Sequence, residues 1–167
     1  MGIRETLLES GAVKFGYFVL TSGKKSDYYV DIKEASTRPE ILNAMADAIS
    51  LKISAKKIAG MELGAVPILV ATALKTKIDY VIIRKTERTH GTNKRWIGEI
   101  NNGEKIDVID DVATTGGSIL KSVEILRSHG AVVENAICVV DREEGAKEFL
   151  KENGINLIPV ITVSQLR

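Results

Sequence analysis

A single cysteine, three prolines and an aromatic share of only 5% set the first limits on this 167-residue chain. One thiol excludes a disulfide framework and fits a reducing compartment. Cys138 lies inside the apolar run 136–140, where a small buried hydrophobe is the ordinary reading. Charge of either sign is also not in excess. The 23 Lys and Arg nearly cancel the 22 Asp and Glu, so the whole molecule has no electrostatic bias toward nucleic acid or an anionic membrane, and neither is expected as a partner. Long hydrophobic runs are missing too. The longest, 66–74, is interrupted by Pro67 and Thr72, and no charged N-terminal region leads into an apolar stretch. A soluble, cytoplasmic protein is therefore expected.

What is present is an alternation of segment types without tandem repeats or a Pro/Ser-rich linker, and a chain of this length suits one domain. The first helix is expected at 4–9. Extended chain follows at 17–33, broken by a Ser22-Gly23 turn. Thr37 is expected to cap a helix with Pro39 in its first turn and Ile41, Met45, Ala48 and Ile49 on one face. Strands are then expected at 57–61, 80–84, 105–109, 132–140 and 157–161. Helices alternate with them: one from about residue 66, then 117–128 and 144–151. This is the order of a mainly parallel sheet flanked by helices, an α/β fold. Segments such as Val81-Ile82-Ile83 are apolar at every position, so both faces of the sheet should be covered.

The most informative stretch is Ile106-Asp107-Val108-Ile109-Asp110-Asp111-Val112-Ala113-Thr114-Thr115-Gly116-Gly117-Ser118. A buried strand ends in two adjacent carboxylates, and a Thr/Gly turn then opens a helix. Ligands of open α/β sheets bind beyond the carboxyl ends of the strands. Glycines admit a phosphate close to the backbone, threonine hydroxyls donate to it, and a helix N-terminus offers unpaired N–H groups. Carboxylates repel a phosphate, but they accept hydrogen bonds from sugar hydroxyls and bind divalent metal. The combination describes a phosphorylated sugar. A lone Asp-Asp pair is more often a turn cap; strand, acid pair, Thr-Thr-Gly-Gly and helix in that order favour the ligand reading. A Gly-x-x-x-x-Gly-Lys-Ser/Thr loop is missing, which excludes a nucleotide triphosphatase of that type.

At these residues the sequence resembles the type I phosphoribosyltransferases. Three further segments narrow the resemblance to the orotate phosphoribosyltransferase family and extend it over nearly the whole chain: 18–31, Arg84-Lys85 through His90-Gly91, and Asp141-Arg142-Glu143-Glu144-Gly145. The resemblance implies a type I phosphoribosyltransferase fold in one domain, 1–167, with a small N-terminal hood over about 1–36, a core over about 37–167 and a mobile basic loop. It also implies Mg²⁺-dependent transfer of phosphoribosyl from phosphoribosyl pyrophosphate to orotate N1 in pyrimidine biosynthesis. The phosphoribosyl pyrophosphate site would comprise Arg84, Lys85, Arg88, His90, Asp110, Asp111, Val112, Ala113, Thr114, Thr115, Gly116, Gly117 and Ser118. Orotate would meet Tyr29, Val30, Thr114 and Arg142. Arg88, Asp110 and Asp111 would carry catalysis, with Mg²⁺ near Asp110 and Asp111 but held mainly through the substrate. A homodimer is implied as well, the loop of one subunit reaching into the site of the other.

Elementary chemistry runs parallel to these implications. A flat anion needs an apolar face and a fixed cation, and an arginine fork suits a planar acceptor edge. Arg142 could equally form a surface ion pair with Glu143 or Glu144, and strand alternation turns only one of Tyr28 and Tyr29 inward. Residues 84–95 concentrate Arg84, Lys85, Arg88, Lys94 and Arg95 against Glu87 alone, between two expected hairpin arms at 80–83 and 96–100. Alone, such a charge run also fits a solvated loop or an RNA contact. Lysines common in the family are replaced by Thr21, Gly64 and Arg88. Residues 62–67 are expected to face pyrophosphate through backbone N–H groups instead. Two rival functions stay open: transfer to a purine, and a regulator that senses phosphoribosyl pyrophosphate and binds RNA or DNA.

Overall fold

The structure, a computed structural model, describes residues 1–87, 90–91 and 93–167. The chain opens with helix α1 (Ile3–Glu9), hairpin strands β1 (Val13–Val19) and β2 (Lys25–Val30), and a one-turn helix α2 (Ile32–Ala35). Then come α3 (Pro39–Ser50), β3 (Lys57–Met61), α4 (Ala65–Thr76), β4 (Asp79–Ile83) and β5 (Trp96–Ile97). The remainder is β6 (Asp107–Ala113), α5 (Gly117–Ser128), β7 (Asn135–Asp141), α6 (Ala146–Glu152), β8 (Asn156–Thr162) and α7 (Val163–Leu166).

β1 and β2 form a separate antiparallel pair, and the other strands form one sheet in the order β5-β4-β3-β6-β7-β8. All neighbours in that sheet are parallel except β4 and β5. The continuously apolar strands divide their side chains between two layers, as expected. Val108, Ala136 and Cys138 pack with Ile119, Val123 and Leu126 of α5 and Leu150 of α6. Ile109, Ile137 and Val139, one residue out of phase, pack with Met45 and Ile49 of α3 and Ile68 and Leu69 of α4. Burial pushes the Cys138 thiol well above its usual range, consistent with an inert core residue. Leu7, Val13, Tyr28 and Ile32 join the same cluster as α3 and α4, which ties the N-terminal hairpin to the sheet.

The chain runs outward from β3 through α4 to β4, and in the opposite direction from β6 through α5 to β7. The strand order therefore reverses between the adjacent strands β3 and β6, and a crevice opens beyond their carboxyl ends because the helices following them leave on opposite faces.

Several local expectations are corrected. Thr37 does not cap α3: Arg38 precedes its first residue, and the Thr37 hydroxyl donates backward to the Glu34 carbonyl at 2.6 Å, closing α2. Within the stretch expected to be extended, Asp31 caps α2 by accepting from the Glu34 N–H at 3.0 Å. The hairpin begins earlier, at Val13. β6 starts at Asp107 and continues through the acid pair, because its ladder with β7 extends to Val112↔Val140 and Ala113↔Asp141. The β4–β5 arms pair only at Ile82↔Ile97 and Ile83↔Trp96, shorter than expected.

Candidate active site

The crevice at the switch point is a cavity of about 850 Å³. β6 supplies Asp110 and Asp111, the turn after it supplies Thr114, and α5 supplies Ser118. Glu62 to Gly64 after β3, Lys85 after β4 and Arg142 after β7 complete the strand-end wall. Val30 and Lys33 approach from the N-terminal segment. Parallel strands begin all these connections at one end of the sheet, which is why residues far apart in sequence converge here.

Asp110 accepts from the Asp111 backbone N–H at 2.9 Å through Oδ1 and from the Ser118 hydroxyl at 3.3 Å through Oδ2. Burial, then the neighbouring Asp111 carboxyl, holds the Asp110 carboxyl well above the usual range. Asp111 is itself buried and faces the Lys33 ammonium at 3.8 Å. Gly64 makes this packing possible, since a Cβ there would collide with the Asp111 carboxylate. The turn runs from Thr114 to Gly116, whose φ of +91° starts α5 at Gly117. The next connection is pinned where Glu62 Oε2 accepts from the Lys85 N–H at 3.1 Å.

After β7 in the same strand-end wall, Arg142 Nε donates to the Tyr28 hydroxyl at 3.1 Å, and Nη2 meets Glu144 Oε1 at 3.1 Å. The Tyr28 hydroxyl donates to that same Glu144 oxygen at 2.9 Å.

Residues 32–159 match the phosphoribosyl transferase domain family. The chain is 61% identical to the orotate phosphoribosyltransferase of Picrophilus torridus, covering 99% of both chains. It is 60% identical to that of Thermoplasma acidophilum, over 99% of this chain and 96% of the relative. The chain belongs to the orotate phosphoribosyltransferase family. In three dimensions it is similar to the crystal structure of orotate phosphoribosyltransferase from Aeropyrum pernix, with a TM-score of 0.85 at 34% identity over 98% of this chain and 95% of that one. The expected type I phosphoribosyltransferase fold, a mainly parallel sheet flanked by helices, is thus established.

Of the residues that the family resemblance singled out, the structure brings Asp110, Asp111, Val112, Thr114 and Ser118 into the cavity lining together with Lys85, Val30 and Arg142. Ala113 is buried in β6, Thr115 and Gly116 lie in the turn and Gly117 opens α5, and none of these lines the cavity. Tyr29 is 42% exposed, rests against Phe18 at a ring-centroid distance of 5.8 Å and does not line the cavity; Tyr28 is the inward member of the pair. Arg84 is half-buried and outside the lining. Its N–H donates to the Arg95 carbonyl at 2.8 Å, while its Nε and that of Arg95 are buried with no hydrogen-bond partner among the described residues. His90 is exposed and outside the lining, and Arg88 lies outside the described residues.

Lys33 is not legible as a site residue, because the sequence pattern there is that of extended chain, whereas the structure places it in α2. The Asp-x-x-Glu spacing of Asp31 and Glu34, which caps α2, was the available signal.

Proposed function

We propose that this chain transfers a ribose-5-phosphate unit from phosphoribosyl pyrophosphate to N1 of orotate, giving orotidine 5'-monophosphate and pyrophosphate in pyrimidine biosynthesis. It acts as a pentosyltransferase. The observation that carries this reading is one cavity whose lining unites Asp110 and Asp111, Thr114 and Ser118 from the two ends of the Thr/Gly turn, and the cation Arg142. Whole-length identity of about three-fifths to relatives named for this activity supports it. We propose further that 1–167 forms one phosphoribosyltransferase domain, supported by the core shared between the N-terminal hairpin and the sheet.

In this reading the N–H groups at the start of α5 and the hydroxyls of Thr114, Thr115 and Ser118 hold the 5'-phosphate. Asp110 and Asp111 accept from the ribose hydroxyls, orienting C1 toward the base. Lys85 and Lys33 face the pyrophosphate side of the cavity, where cations stabilise charge as it builds on the leaving group. From the family resemblance, Arg84, Arg88 and His90 join them, and the basic loop that carries these three and Lys85 is contributed by a partner subunit in a homodimer. Arg142 takes the carboxylate of orotate, with Val30 and Thr114 beside the ring. A purine offers Arg142 no carboxylate, which favours orotate over the purine alternative.

The donor set fits Mg²⁺ of one kind. Two adjacent carboxylates supply hard oxygens, and no group of three His, Cys, Asp or Glu able to cage a metal occurs among the described residues. This suits an ion that keeps water and substrate oxygens in its shell. It would sit near Asp110 and Asp111, held mainly through the substrate, and would add positive charge beside the departing pyrophosphate. A cytoplasmic location is proposed with it; no described helix is long and apolar enough to cross a membrane.

The test follows orotate absorbance on adding phosphoribosyl pyrophosphate and Mg²⁺, with hypoxanthine, adenine and uracil as comparison bases. Loss of orotate that needs both additions is expected. Reaction of a purine with orotate inert would overturn the base assignment.

A further inference from the structure

Arg142, which lines the cavity, belongs to a closed ring of three side chains whose other two members, Tyr28 and Glu144, lie outside the lining and are not required by the transfer reaction. Tyr28 lies on β2, and Arg142 and Glu144 follow β7. The Tyr28 hydroxyl joins them across 116 residues of sequence. Tyr28 is 8% exposed, and the Arg142 guanidinium carbon stands 5.1 Å from the centre of its ring. Burial pushes the Tyr28 phenol above its usual range, keeping it a donor to Glu144 while it accepts from Arg142. The connection carrying the arginine is also held from behind. The Arg142 N–H donates to the Ala113 carbonyl at 2.9 Å, the Glu143 N–H donates to Asp141 at 2.8 Å, and Glu143 accepts from the Ser164 N–H at 2.8 Å.

A guanidinium presents its five N–H groups as two flat edges suited to planar acceptors, one formed by Nε with Nη2 and the other by Nη1 with Nη2. Here two protein acceptors 2.9 Å apart, the Tyr28 hydroxyl and Glu144 Oε1, sit against Nε and Nη2. The first edge is therefore satisfied by the protein. The remaining edge, on a residue that lines the cavity, is left for a ligand. Holding the long side chain this way removes most of its rotamer freedom before any ligand arrives, so less ordering entropy is lost on binding.

We infer that Tyr28 and Glu144 are positioning residues, which hold the free edge of Arg142 toward the carboxylate of the base and so set the preference for a carboxylate-bearing ring. This rests on the orotate reading above. Glu144 acts mainly as an acceptor, since Arg142 and Tyr28 both reach one of its oxygens.

The experiment measures KM for orotate and for phosphoribosyl pyrophosphate, and the inhibition constant of the uncharged 6-carboxamide analogue of orotate. It compares wild type with Tyr28→Phe, Glu144→Ala and Glu144→Gln. Tyr28→Phe keeps the ring and removes the hydroxyl; the orotate KM is expected to rise about fivefold, the factor that one hydrogen bond of roughly 1 kcal/mol represents. Glu144→Ala should do the same, and Glu144→Gln, which keeps an acceptor, should remain within about twofold of wild type. The phosphoribosyl pyrophosphate KM and the carboxamide constant should stay within about twofold throughout, a split that general loosening of the fold would not produce. The Glu144 side chain is 42% exposed, so its variants carry the test if Tyr28→Phe fails to fold. An unchanged orotate KM in Tyr28→Phe and Glu144→Ala, or parallel rises for both substrates, overturns the inference. A wild type that does not turn over orotate overturns the reading beneath it, and the inference with it.

Discussion

Replacing either glycine of the phosphate turn by alanine adds one methyl group, yet the two neighbours should respond with opposite signs. Gly116 has φ +91°, where an L side chain costs about 1–2 kcal/mol. A Cβ there would also stand 3.1 Å from Phe149 Cδ1 and 3.2 Å from Leu150 Cγ. Leu150 is fully buried, so α6 has little room to yield, and crowding of this kind costs about 1 kcal/mol or more. Gly116→Ala should therefore lose roughly 3 kcal/mol, which for a chain of this size lowers Tm by about 6–12 °C. Gly117 is the first residue of α5, and the nearest atom to its added Cβ is Thr115 Oγ1 at 4.0 Å. Alanine fits that space and favours the helix by about 0.5–1 kcal/mol, so Gly117→Ala should melt at or slightly above wild type. Thermal unfolding followed by circular dichroism, with both variants measured in parallel, checks the pair. Equal melting temperatures would refute the argument, because the added atoms are identical and only backbone conformation and the α6 contact differ.

Other consequences follow from single contacts. Lys33→Ala should raise the phosphoribosyl pyrophosphate KM about tenfold, the effect of one charge-assisted contact, and leave the orotate KM within about twofold; steady-state kinetics decides, and equal effects on both substrates would remove Lys33 from the pyrophosphate side. Arg88→Ala should slow turnover far more than it weakens orotate binding, and an unchanged turnover number would refute a role in stabilising the leaving group. The Lys57 ammonium, 5% exposed, meets Glu104 at 2.9 Å, and Glu104→Gln should cost about 2–3 kcal/mol by urea unfolding at neutral pH. Burial pushes the Glu104 carboxyl up, but hydrogen bonds from Lys57 and Asn101 outweigh it and hold the carboxyl below its ordinary value of 4.5. The stabilisation is thus complete above that value and is lost as pH falls through the lower folded-state value, so the gap between wild type and Glu104→Gln should close in acid.

The parts legible in the sequence are those whose physics is local. Asp110, Asp111 and the turn through Ser118 are contiguous, and a strand, acid pair and glycine-opened helix keep their meaning wherever the chain places them. The unbroken apolar runs of β6 and β7 required two covered faces, and Val108 and Ile109 do turn to opposite layers. Errors arose where backbone partners came from elsewhere. β6 outlasts its expected end because β7 continues the ladder to Ala113, and Thr37 serves α2 instead of α3 because the Glu34 carbonyl lies within its reach. Period-two alternation said that one of Tyr28 and Tyr29 turns inward, but its phase was decided by contact with Arg142 and Glu144, more than a hundred residues away. The same holds for Lys33, which reaches Asp111 only because the chain after β2 packs beside β6. Residue types and local order are written in the chain; which distant side chains share an edge of one guanidinium or face one carboxylate is set by the packing of parallel strands, whose carboxyl ends all lie at the same end of the sheet.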